Sequence, residues 1–197
     1  MRLFVALELD RALKKALYAA SRQVPLLGRN VRPVAEPLLH LTLRFVGDTT
    51  GDRIAELIDA VEEVAQTTPR FSIVVRGTGV FPKPAAVRVL WAGIEPSREL
   101  TALARSVDQA VRMRGFPPEP RGFSPHITLA RVHGAPGRLQ GPLDPERPRF
   151  GEQEVDEIVV MESQLSPRGP TYVPLSRAPL GEGPEEPRPE QTPEEEA

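Results

Sequence analysis

The chain contains no cysteine. A disulfide scaffold, a thiolate nucleophile and a cysteine-ligated zinc or iron–sulfur site are therefore excluded. No apolar run approaches the roughly eighteen residues of a membrane-spanning helix. The opening Met1-Arg2-Leu3-Phe4-Val5 meets Glu8 and Asp10 too early for a secretory signal, so a cytoplasmic location is expected. There is no Walker loop, no dinucleotide fingerprint and no carboxylate-rich motif at metal-ligand spacing. Neither a cofactor nor a metal is expected.

Lysine is also scarce: 22 of the 25 basic residues are arginine. The net charge of −2 is unevenly spread. Residues 181–197 hold seven glutamates and one arginine, leaving a body of 1–180 at +4. An arginine-rich body is compatible with a phosphate-bearing partner. The last seventeen residues have no large apolar side chain and are expected to form a disordered acidic tail.

Strand and helix signals alternate through the remaining chain. Strands are expected at Leu3–Leu9, Leu38–Val46, Phe71–Arg76, Arg88–Ile94, Ser124–Val132, Val155–Met161 and Thr171–Leu175. Helices are expected from Asp10 to Gln23, Asp52 to Gln66 and Ser97 to Met113, with Asp10 and Ser97 as caps. Gly79–Pro84 and the Gly/Pro-rich stretch 134–152 read as loops. A shift of 86 residues lays Leu3-Phe4-Val5-Ala6 on Val89-Leu90-Trp91-Ala92, and His40-Leu41-Thr42-Leu43 on His126-Ile127-Thr128-Leu129. A shift of 85 lays Ile73-Val74-Val75 on Ile158-Val159-Val160. Identity is low, and the shared order of elements carries the argument. The expectation is an α+β fold, duplicated and bilobal, spanning residues 1–180. Each lobe has an antiparallel sheet with helices outside, and equivalent strands face each other across a cleft.

Two of the three histidines, His40 and His126, stand as His-x-Thr inside apolar strands at equivalent places of the repeat. With ten threonines in 197 residues, a chance threonine at a given +2 position is roughly a one-in-twenty event. Residues i and i+2 of a strand share a face. His40 and Thr42 therefore project together, as do His126 and Thr128, and the repeat brings both pairs to one cleft. Two imidazoles supply an acid and a base near neutral pH, and two hydroxyls hold phosphate oxygens. That set suits cleavage of an activated phosphodiester, such as a strained ribose 2′,3′-cyclic phosphate, without a metal. His133 has no threonine partner and reads as structural. Period-two counting puts Arg44 on the face of His40 and Thr42, where it is able to contact a phosphate-bearing ligand (an RNA backbone, in the resemblance described below) or simply remain solvated. Phe81, Trp91 and Phe123 lie near the motifs and are able to stack a base. Core packing is the commoner role for such residues, above all for Trp91.

The segments R-L-F-V-A-L-E-L, L-H-L-T-L-R-F-V-G, G-V-F-P-K-P, R-V-L-W-A-G, F-S-P-H-I-T-L-A-R and S-Q-L-S-P-R-G-P-T-Y resemble the 2H phosphoesterase superfamily. Within it the chain is most similar to the RNA 2′,3′-cyclic phosphodiesterases, also called 2′-5′ RNA ligase-like proteins. The likeness covers roughly residues 1–177. It implies catalytic roles for His40 and His126, and phosphate-binding roles for Thr42, Thr128 and Arg131. It further implies RNA with cyclic phosphate ends as substrate and a 2′-phosphate product. Strand parity disagrees at Arg131, which shares the face of Ile127 and Leu129 unless the strand bulges. A monomer without membrane contact is expected. The alternative is an RNA-end-binding module with little turnover, for which both histidines would be dispensable.

Overall fold

Hydrophobic alternation and two side-chain caps account for the first elements of each half. In the computed structural model, which describes residues 1–22, 26–27, 30–120, 122–139, 148–167 and 169–181, β1 (Arg2–Glu8) leads directly into α1 (Arg11–Ser21). The Asp10 carboxylate accepts from Leu13 N at 2.6 Å, satisfying an otherwise orphan donor at the start of α1. The strands β2 (Leu26–Leu27), β3 (Val31–Pro33) and β4 (His40–Asp48) precede α2 (Ile54–Thr67). A long hairpin follows, β5 (Phe71–Lys83) and β6 (Ala86–Ile94). Ser97 Oγ accepts from Leu100 N at 3.0 Å and starts α3 (Arg98–Met113), whose Leu100, Leu103, Val107 and Val111 are buried. The chain closes with β7 (His126–Val132), β8 (Arg138–Leu139), β9 (Arg149–Val155), β10 (Glu157–Ser166) and β11 (Gly169–Pro179).

The sheet runs β11-β10-β1-β4-β7-β6-β5-β9, all antiparallel, with β3 on the free part of β7's edge. It divides into two four-stranded halves, β11-β10-β1-β4 and β9-β5-β6-β7. Strands β1, β4 and β10 of one half hold the places of β6, β7 and β5 in the other, as the repeat requires. The halves join at β4 and β7 through one residue pair, Leu41 with Ile127, both fully buried. Beyond that pair the strands part. Helix α2 packs on β10 and β11, α3 packs on β4 and α2, and α1 packs on β7 and β9. The fold is thus α+β and two-lobed, with the His-x-Thr strands at the seam.

Each central strand carries a bulge just after its motif. In β4 the register passes from Thr42 opposite Ala6 to Arg44 opposite Val5, leaving Leu43 without a partner on β1. In β7 it passes from Thr128 opposite Trp91 to Ala130 opposite Leu90, leaving Leu129 without one on β6. Leu43 and Leu129 are equivalent residues of the repeat. An extra residue reverses the parity beyond it. The burial pattern records this: Leu43 and Arg44 are both buried and Phe45 is exposed, while Leu129 and Ala130 are both buried and Arg131 is exposed.

Two expectations need correction, and one strand was not foreseen. Residues 79–83 are not a loop, because β5 continues through Lys83 as one arm of the hairpin with β6. Within 134–152, β8 and β9 form in spite of the glycines and prolines, because each finds a neighbouring strand edge, β2 and β5 respectively. The short β3 had no periodicity to announce it. The expected acidic tail lies, apart from Gly181, outside the described residues.

Candidate active site

Adjacent cross-strand partners Leu41 and Ile127 each follow a histidine. Antiparallel register around that pair carries His40 toward Thr128 and Thr42 toward His126, all four on the face opposite the buried leucine and isoleucine. Both histidines and both threonines are half-buried. The four sequence-predicted side chains therefore meet at the seam between the lobes.

Both imidazoles are oriented in the same way. His40 Nδ1 lies 2.7 Å from the carbonyl oxygen of Leu38, and His126 Nδ1 lies 2.7 Å from that of Ser124. A carbonyl only accepts, so each Nδ1 carries the proton and donates it. The tautomer is thereby set, and Nε2 is left as the nitrogen able to accept a proton on each neutral ring. On neutral His40 the Thr42 hydroxyl donates to Nε2 at 3.0 Å. Aromatic edges hold the rings. Tyr172 stands edge-on to His40 with centroids 5.1 Å apart, and Phe4 lies 5.0 Å from the same ring. Phe81 stands edge-on to His126 at 5.2 Å. Phe4, Ala6, Val159 and Met161 form a small apolar cluster, with Tyr172 packed against it, apart from the main core.

This environment shifts both titrations. Desolvation holds His40 below the ordinary imidazole range; the Leu38 carbonyl opposes this, and the charges of Arg131, Lys14 and His126 add to it. Desolvation likewise lowers His126, against the Ser124 carbonyl, with Arg131 adding to the effect. Tyr172 is raised by burial, against the charges of Arg131 and Arg2. Arg131 thus acts on three side chains of the cleft, and the bulge at Leu129 is what turns it there. Sequence parity alone would have sent it to the core face.

Arg44 requires the opposite correction. The bulge at Leu43 rotates it away from His40 and Thr42, and it is 2% exposed on the helix side. Its guanidinium pairs with the Asp108 carboxylate and donates to the carbonyl oxygens of Asp108, at 2.7 Å, and Pro117. It faces α3 and the Pro117 segment, away from His40 and Thr42. The segment beside it, Pro117-Pro118-Glu119-Pro120, has three prolines without an N–H and cannot extend the ladder as β3 does along β7. Arg44 and the Glu119 carboxylate, which accepts from Phe45 N at 3.3 Å, supply the missing connections. Both act on the segment leading to His126.

Phe45 takes the place that parity gave Arg44. It is 52% exposed, and its ring lies 6.3 Å from Phe4, which packs on His40. Sequence reasoning missed it, and also Phe4 and Tyr172, since only the bulge and the strand order bring these rings to the site. Trp91 is not core. It is half-buried opposite Thr128, its centroid 5.3 Å from that of Phe81, with an indole N–H that is buried and without a partner among the described residues. Its ring lies over Gly79, where a Cβ would collide with Trp91 Cζ2. Phe123 packs against the core, as the commoner reading has it. His133 is exposed beyond β7, its backbone N–H bonded to Asn30 O at 3.1 Å. Among the described residues no three of His, Asp and Glu stand together as a metal site, and no helix is long and apolar enough to cross a membrane.

Two pseudo-symmetric lobes, each contributing one His-x-Thr pair to a shared cleft, define a 2H phosphoesterase. Comparison with known proteins agrees. The chain belongs to the LigT-like phosphoesterase family, whose model matches residues 7–91 and 93–172. It is 32% identical over 180 residues to the RNA 2′,3′-cyclic phosphodiesterase of Methanothermobacter thermautotrophicus, covering 89% of this chain and 96% of that protein. It is 33% identical over 186 residues to the same enzyme of Thermus thermophilus, covering 90% and 89% respectively. Among solved structures, a Thermus thermophilus protein superimposes with a TM-score of 0.80 at 30% identity, covering 93% of this chain and 100% of that one. Escherichia coli LigT complexed with 3′-AMP gives 0.76 at 27% identity, covering 91% and 97%.

Proposed function

We propose that this protein hydrolyses 2′,3′-cyclic phosphate ends of RNA to 2′-phosphomonoesters by two-histidine acid–base catalysis. The observation that carries the reading is the paired arrangement of two imidazoles. Each has Nδ1 bound to a carbonyl two residues upstream, which leaves Nε2 as the nitrogen for proton exchange, and the two meet beside Thr42 and Thr128, with the Thr42 hydroxyl 3.0 Å from His40 Nε2. The names of the curated relatives support the substrate class.

In this reading the threonine hydroxyls and Arg131 hold the non-bridging phosphate oxygens and donate to the charge that grows on them. Neutral His126 takes a proton from water at Nε2 as the water oxygen bonds to phosphorus. The P–O3′ bond breaks on the opposite side, and His40 Nε2–H protonates the departing 3′-oxygen. The product is a 2′-phosphate and a free 3′-hydroxyl. A 5′-hydroxyl in place of water would leave a 2′-5′ linkage by the same displacement. The exposed Phe45 ring offers a stacking face for a base. The test is phosphorus NMR of the product from cytidine 2′,3′-cyclic phosphate in excess EDTA. A 2′-phosphate is expected. No turnover would favour an end-binding module, a 3′-phosphate would reverse the ribose orientation, and recovery only with added Mg²⁺ would show a metal requirement.

A further inference from the structure

Strand β3 places a second arginine directly beside the cleft arginine. Arg32 is the cross-strand partner of Arg131. Partners in an antiparallel pair share a face, with Cβ atoms about 5 Å apart. Arg131 is on the cleft face, since it lies beyond the bulge and its charge reaches His40, His126 and Tyr172. Arg32 is therefore on that face too, and it is exposed. Among the described residues neither arginine has an ion pair or a hydrogen-bonded acid. Like charges directly opposite on a sheet destabilise it. An anion lying between or across the two guanidinium groups removes that cost.

The position of β3 gives the pair a direction. Strands β3 and β4 both lie on the edge of β7 away from β6: Leu41 pairs with Ile127, and Val31–Pro33 pair with residues 130–132 further along. Arg32 thus stands in the lane that holds His40, level with Arg131 across from it. A phosphodiester bound at the histidines and touching Arg131 is able to place its next phosphate in this lane. We infer that Arg32 binds the phosphate on the 5′ side of the terminal ribose, so that the site prefers the end of an RNA chain to a lone cyclic nucleotide. This rests on the proposed reaction at His40 and His126 and goes beyond it in naming the length of chain recognised.

The experiment uses the full chain, cytidine 2′,3′-cyclic phosphate, and a dinucleotide with a 2′-deoxy first residue, one internal phosphate and a terminal cyclic phosphate. In R32A the ratio of kcat/KM for dinucleotide over mononucleotide should fall about three- to tenfold at low salt, through KM. The slope of log KM against log salt for the dinucleotide should lessen by about 0.7, the share of one phosphate contact on a single strand. A dinucleotide whose internal linkage is a neutral methylphosphonate should show the same loss with the unaltered protein, and no further loss with R32A. The Tm of R32A should hold or rise, since a repulsion is removed. An unchanged substrate ratio, a loss shared equally by both substrates, or additive losses from R32A and the neutral linkage would overturn the inference. Turnover of neither substrate by the unaltered protein would overturn the proposed reaction itself.

Discussion

Replacing Arg44 by alanine separates a structural strut from a substrate contact. The side chain is 2% exposed, so the two methylenes that alanine lacks, Cγ and Cδ, lose burial worth about 1.6 kcal/mol when removed. Its charged hydrogen bonds add less than full strength, because the Asp108 side chain is 36% exposed and water replaces the lost partner. About 1–2 kcal/mol is a fair allowance for them. Against this, Arg44 Nε is buried without a partner among the described residues, and removing it relieves about 1 kcal/mol. The net cost is about 1.5–2.5 kcal/mol, or roughly 3–10 °C in Tm for a domain of this size. Circular dichroism melting reads the first effect, and hydrolysis of cytidine 2′,3′-cyclic phosphate well below the new Tm reads the second. We expect a clear fall in Tm with any change in kcat/KM far smaller than that of a phosphate-binding arginine. An unaltered Tm combined with a tenfold rise in KM would refute the placement of Arg44 behind the sheet.

Two other predictions concern the surroundings of the histidines. Desolvation lowers both imidazoles in the free protein, and a base must be neutral while an acid is protonated. The alkaline limb of kcat/KM should therefore fall below the ordinary histidine value of about 6.5, and that of kcat should move upward because bound anion favours the imidazolium; a kcat/KM limb above pH 7 would contradict the burial argument. In G79A the new Cβ would collide with the Trp91 ring, which must shift beside Thr128. The substitution should cost about 1–3 kcal/mol in denaturant unfolding, lower kcat, and change the emission of the chain's single tryptophan; unchanged emission would show that the ring does not pack on Gly79.

The motif residues were legible because a period of two needs no knowledge of neighbours: His40 with Thr42 and His126 with Thr128 share a face within their own strands. The repeat was legible for a similar reason, since element order survives when identity does not. The two arginines were not. Arg44 and Arg131 both lie past a bulge, and one unpaired residue reverses the face of everything beyond it. The bulges at Leu43 and Leu129 leave no mark in hydrophobic pattern, because a bulged leucine and a regular one are equally apolar. The equivalent positions then diverge. The pair after the bulge is Arg44-Phe45 in one lobe and Ala130-Arg131 in the other, giving an aromatic rim on one side and a cationic one on the opposite side. Strand β3 was hidden because its three residues, ending in Pro33, make sense only against the free edge of β7. Trp91 was misread because the residue that admits its ring to the cleft, Gly79, lies on the neighbouring strand.

The most direct test of the two-histidine account is the turnover number on cytidine 2′,3′-cyclic phosphate for H40A, H126A and the double variant, with H133A as a folded control. Each single substitution should lower kcat at least about a hundredfold, the loss in the double should be far less than the product of the two, and H133A should match the unaltered protein. Near-normal turnover by either H40A or H126A, in a protein that still folds, would contradict the mechanism.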